Sequence, residues 1–128
     1  MTAAGPEAIL GALAQGQLID ITTTGRRSGT PRRLEIVAHV IDGRIYISGR
    51  PSERPRDWLL NLAANPHLTI HLKQSLQVDV PATARVIADE AERRAILAHV
   101  ARAWGRDDLE VMVRQSPLIE VTLESAGA

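Results

Sequence analysis

Alternation of apolar and polar residues dominates the middle of the chain. Over residues 33–41, Leu34, Ile36, Ala38 and Val40 fall on one side, with Arg33, Glu35 and His39 between them. That period of two predicts a half-buried strand. Asp42-Gly43 follows, a strong signal for a two-residue hairpin turn, and leads into a second strand over 44–49. The β-branched run 18–24 and the segments 67–72, 76–87 and 118–123 read as further strands, with Pro81 confining its strand to an edge or a bulge. Elsewhere the period lengthens to that of a helix. Residues 7–15, behind Gly5-Pro6, place Ile9, Leu10 and Leu13 on one face, and residues 57–64 do the same with Trp58, Leu59 and Leu62 before Asn65-Pro66 ends them. A longer helix over 89–104 opens with acids that complement its dipole, and a shorter one is expected over 107–113.

Five or six short strands, mostly meander-connected, with one helix between the third and fourth, predict a small β-barrel with helices packed outside. Closing the sheet removes its edges. The fold class is therefore α+β, mainly β, and at 128 residues the expectation is a single domain over 1–128.

Composition narrows the function classes. Hydrophobic content of 45% provides a core, and with no Phe, one Tyr and two Trp that core is aliphatic. The absence of cysteine excludes a disulfide scaffold and a thiol nucleophile. No apolar run approaches the roughly 20 residues that span a bilayer, and the first residues lack the pattern of a signal peptide, so a cytoplasmic location is expected. Net charge is zero, but fourteen of the fifteen cations are arginine, and eight lie between Arg26 and Arg56, well in excess of the acids there. The planar fork of arginine suits phosphate and carboxylate, so this run reads as a local anion site as well as a solvated face. Nucleic acid is not an expected partner, because there is no net positive charge and almost no aromatic residue for stacking.

The candidate chemistry is sparse. No serine lies in a nucleophile elbow, no carboxylate pair points to a glycosidase, and His67 and His71 are four apart on a strand rather than on a helix. No metal site is expected, and no catalytic residue can be assigned. A protein with so little acid–base chemistry of its own leaves the reaction to a cofactor, if it is an enzyme. The stretch TTTGRRSGTPRR, residues 22–33, is where an anion would be held. Its glycines allow backbone N–H groups to converge, Ser28 adds a hydroxyl, and Arg27 and Arg32 can close over the ligand. A long solvated hairpin loop is the alternative reading of the same residues.

TTTGRRSGTPRR, then DGRIYISG, then RDWLLNLAANP, in that order, resemble the deazaflavin (F420)-dependent nitroreductase and quinone reductase family of split β-barrel flavin/deazaflavin oxidoreductases. The likeness runs from about residue 18 to 72 and more weakly beyond. It implies coenzyme F420 as cofactor, with FMN as the alternative, and hydride delivery to a small-molecule substrate: a quinone, a nitro compound or an activated alkene. Arg26, Arg27, Ser28, Gly29 and Arg32 would hold the cofactor's anionic tail. Ser48, Gly49, Arg50, Trp58 and Asn61 would flank the deazaflavin. A quinone substrate would bring the protein into peripheral contact with a membrane, and a homodimer is compatible with the family. A reading from another class is a non-catalytic binder of a lipid-like ligand inside the barrel. Two departures stand out. Relatives that reduce nitroaromatics carry tyrosines near the C-terminus, whereas 107–117 has no aromatic residue, and a lysine often found after the third-strand serine is replaced by Gly49.

Overall fold

The computed structural model describes residues 5–14, 18–74 and 76–124. Its elements run α1 (Pro6–Ala14), β1 (Leu18–Thr24), β2 (Pro31–Ile41), β3 (Arg44–Ser48), α2 (Asp57–Ala64), β4 (His67–Lys73), β5 (Gln77–Val86), α3 (Glu90–Trp104), α4 (Leu109–Gln115) and β6 (Leu118–Leu123). The expected end of the first helix at Gln15 lies outside the described residues. The six strands close into a barrel in the order β1-β2-β3-β6-β5-β4, with β4 back against β1 and every neighbouring pair antiparallel.

Alternation along each strand decides what faces inward. Ile19 and Ile21 from β1, Ile47, Ile70 and Ile119 are all wholly buried. A six-stranded barrel is narrow enough for such side chains to fill, so its interior is a packed core and not a ligand cavity. The lipid-binding reading therefore fails on volume. Ile9 and Leu13 of α1, with Trp58 and Leu62 of α2, pack onto this same core. The outward side chains of β3 and β6, Tyr46 and Leu118, are covered instead by Leu97, Val100, Met112 and Val113 of α3 and α4.

Local chemistry sets the element ends. Asp42 and Gly43 have φ of 52° and 75°, the left-handed pair that a tight hairpin of this hand requires. The Asp89 carboxylate accepts from the Glu92 N–H at 2.9 Å and caps α3, which stops at Gly105 with φ 65°. α4 begins two residues later than expected, because the Arg106 guanidinium holds the Asp108 carboxylate in the linker at 2.9 and 2.6 Å. β2 begins two residues earlier, since Pro31 pairs with Thr24 and Arg32 with Thr23. Arg32 is thus a strand residue at the mouth of the hairpin. Pro81 lies where the β5–β6 ladder runs out, just beyond the Ala82–Leu123 pair, so its missing N–H interrupts little.

Candidate active site

The turn between β1 and β2 folds on itself. The Gly25 N–H donates to Thr30 O at 2.8 Å, and the Gly29 N–H donates to Gly25 O at 2.8 Å. The Ser28 hydroxyl accepts from the Thr30 N–H at 3.2 Å and shares a hydrogen bond with the Thr30 hydroxyl at 2.7 Å. Gly29 has φ 71°. At Gly25 a Cβ would stand 2.7 Å from Ser28 Oγ and 3.2 Å from Thr30 O, so no larger residue fits without moving the turn. The N–H groups of Gly25, Gly29 and Thr30 are therefore used inside the turn and that of Arg26 on Asn61, whereas those of Arg27 and Ser28 have no partner among the described residues. The expected nest is thereby reduced to the N–H groups of Arg27 and Ser28, which stand beside the guanidinium groups.

Helix α2 fixes this turn in place. Asn61, 4% exposed, accepts at Oδ1 from the Arg26 backbone N–H (3.1 Å) and from Arg26 Nη1 (3.0 Å). Its Nδ2 donates to Thr23 Oγ1 at 3.2 Å, and Arg26 Nη2 reaches Asp57 at 3.4 Å. Arg26 and Asn61 are thus partners of each other. Between the turn and α2 lies a groove of about 610 Å³, whose lining includes Arg27, Ser28, Arg32, Arg56 and Trp58. Arg27 and Arg32 have no hydrogen-bond or acidic partner among the described residues. Trp58, 7% exposed, belongs both to the barrel core and to the wall of this groove.

Ser48 and Arg50 are not brought to the groove. The Ser48 side chain is buried and its hydroxyl donates to Pro117 O at 2.6 Å. Arg50 lines a separate concavity of about 330 Å³ with Trp104 and Arg106. Gly49 meets the groove only through Arg56: a Cβ there would lie 3.3 Å from the Arg56 guanidinium carbon and 3.1 Å from Pro117 Cγ. Arg56 Nη1 donates to Arg50 O at 2.8 Å, so the β3–α2 loop carries the guanidinium over Gly49. Arg56 and Asp57 were missed by the sequence reading, which took Gly25 as one of the turn's glycines but not as part of the groove wall. Gly25 ending a β-branched strand was a usable signal, but nothing in the pattern marks Arg56 apart from the other arginines.

The remaining polar groups serve the barrel. Thr22, His71 and Asp79 form a row on its outer face, with Thr22 Oγ1 2.7 Å from His71 Nε2 and His71 Nδ1 2.7 Å from Asp79. A hydroxyl–imidazole pair therefore does exist, created by strand register rather than sequence proximity, and it ties three strands together. Asp20 is held below the usual carboxylate range by Lys73 and Arg33. His39 is pushed down from 6.5 by burial. Among the described residues no group of three or more His, Cys, Asp or Glu could hold a metal, and no helix is long and apolar enough to cross a membrane.

No curated protein matches the chain. A solved structure described as an F420 reductase superposes with a TM-score of 0.67 at 12% identity, covering 98% of this chain and 97% of that one. An F420-H2 dependent reductase gives 0.52 at 22% identity over 82% and 93%, and a domain-swapped dimer gives 0.54 at 21% over 91% and 95%. At such identities these likenesses establish the fold, a split barrel. The model of the F420H(2)-dependent quinone reductase family matches residues 4–122. The match takes in the turn, the groove and all six strands, so the chain belongs to the F420H(2)-dependent quinone reductase family and is an F420-dependent oxidoreductase.

Proposed function

We propose that the groove between the β1–β2 turn and α2 takes F420, and that the acceptor is a quinone, a nitro compound or an activated alkene. The observation that carries this is the pair Arg27 and Arg32, two guanidinium groups without partners among the described residues, lining one groove against a tryptophan. The donor set fits a phosphorylated, carboxylate-bearing cofactor. Two free forks offer charge-assisted bonds worth on the order of 1.5–3 kcal/mol each. F420 in its reduced form supplies the hydride. The chain's part is to bind and orient. Arg27 and Arg32 hold the anionic tail, and the Ser28 hydroxyl stands beside them. Trp58 gives the ring an apolar wall, while Asn61, through Arg26, keeps turn and helix at a fixed separation so that the groove is formed in advance. The groove lining contains no histidine, cysteine or tyrosine, and its one carboxylate is that of Asp57.

Titrating F420 and FMN into the protein tests this reading. F420 binds more tightly, because several arginines suit a polyanionic tail better than a single phosphate, and its affinity falls as salt rises. Micromolar FMN binding with none for F420 would reverse the assignment. The proposal extends to a homodimer, which size-exclusion chromatography checks, and to transient contact with quinone-bearing membranes, which vesicle flotation checks. It also keeps residues 1–128 as a single domain, which would melt in one transition.

A further inference from the structure

Arg56 lines two concavities. Beyond it from the first groove lies a second hollow of about 570 Å³, between the β3–α2 loop and the segment joining α4 to β6. Its charge is one-sided. Arg54, Arg56, Arg93 and Arg114 line it against one acid, Glu53. Arg93 is occupied, donating to four backbone carbonyls, and Arg56 donates to Arg50 O. Arg54 and Arg114 are exposed, and their guanidinium groups make no hydrogen bond or ion pair among the described residues. Ser116, which lines the same hollow, is only 3% exposed, and its hydroxyl has no partner among the described residues. Such a group costs free energy unless something completes it. The apolar part of the lining includes Leu59, Val86, Ile87 and Pro117, beside the polar Ser52 and Gln115.

We infer that this second hollow recognises an acceptor with an apolar body and a carboxylate. The aliphatic lining receives the body. Arg54 and Arg114 meet the carboxylate at the open rim, where an exposed arginine fork retains its water-facing freedom until the ligand arrives. Arg56, shared by both concavities, puts this hollow next to the groove. The assignment rests on the reading of that groove as the cofactor site, and it narrows the acceptors from neutral quinones toward acids. Nucleic acid and lipid surfaces fit less well, because the cations line a hollow of small-molecule size with apolar walls.

The test uses 1-naphthylacetate and its neutral amide, 1-naphthylacetamide, titrated by calorimetry into wild-type protein without cofactor. The acid binds about tenfold more tightly than the amide. Arg54→Gln combined with Arg114→Gln erases that preference without moving Tm, since both side chains are exposed, and leaves F420 affinity unchanged. Arg27→Ala does the reverse, lowering F420 affinity and keeping the acid preference. Equal binding of acid and amide to wild type overturns the inference. So does a double variant that loses F420 affinity, because the two arginines would then belong to the cofactor's own tail. An acid preference in a protein that takes no F420 upholds the carboxylate site and overturns the cofactor assignment instead.

Discussion

Where the first turn of α3 meets the C-terminal end of α4, Arg93 donates to Ile87 O, Val113 O, Met112 O and Ser116 O at 2.9, 2.8, 3.4 and 2.5 Å. At the β1–β2 turn, Arg27 and Arg32 have no such partner among the described residues and line an open groove. One arginine gathers the Ile87 carbonyl and three carbonyls from the end of α4, of which Met112 O also accepts from the Ser116 N–H, and burial pushes its guanidinium down from the usual arginine range. The others keep their donors free, as the proposed cofactor site requires. Arg26 stands between the two cases, with one face on Asn61 and Asp57 and its neighbours in the groove. The same side chain is a fold element where backbone carbonyls converge on it, and is left free to meet a ligand where they do not.

The contrast is sharpest under substitution. Arg93→Ala removes this donor from the Ile87, Val113 and Ser116 carbonyls at once and lowers stability by about 2–4 kcal/mol in urea denaturation. Arg93→Lys recovers little of this, because a single ammonium lacks the fork that reaches four acceptors. Stability unchanged in Arg93→Ala would remove the distinction between the two regions. On the other side, Arg27→Ala or Arg32→Ala weakens F420 binding by about 1.5–3 kcal/mol, roughly 10- to 150-fold, read by fluorescence titration. Their melting temperatures stay near wild type. Arg27→Lys falls in between, keeping charge and losing the fork.

Asn61→Ala crosses the boundary. It leaves Arg26 and Thr23 without their buried partner, costing about 1–3 kcal/mol of stability, and it releases the turn that carries Arg27. Both a lower Tm and weaker cofactor binding are expected, and a change in only one would show that turn and helix are not coupled. The smallest effect is on pH dependence. Burial depresses His39 from 6.5, so its Nε2 stays neutral in the fold without a partner. As pH falls below 6.5, the unfolded chain binds a proton that the folded chain resists, and stability falls with it. A melting series between about pH 7.5 and 5.5 reads this slope. His39→Leu flattens it, and an unaltered slope in that variant would assign it elsewhere.

What could be read from sequence follows how local each signal is. Asp42-Gly43 needs nothing beyond its own two residues to turn, and Asn65-Pro66 stops α2 by sterics alone, so both were legible. The barrel followed from alternation plus the need to close edges. Ser48 was read toward the ligand side, but its role is decided by Pro117, sixty-nine residues away, whose carbonyl takes the hydroxyl inward. Arg93 likewise reads as one more helix arginine until α4 folds against it. Arg56 gained its position from Gly49, a contact that no periodicity encodes. Local conformation was legible, while the partners of long polar side chains were not.

The strand order carries a consequence for synthesis. Without β6 the remaining strands form an open sheet in the order β3-β2-β1-β4-β5, and its two margins, β3 and β5, are the strands that β6 later joins. A ribosome that has not yet released residues 118–123 therefore presents two unpaired margins to every neighbouring nascent chain. Ile47 and Val80 lie in those margins with their side chains directed to a core not yet sealed. Ring closure is a late, non-local event, slow by comparison with the hairpins that precede it. A translational pause just upstream of β6 would prolong the sticky stage, and a holdase chaperone would find its footing there.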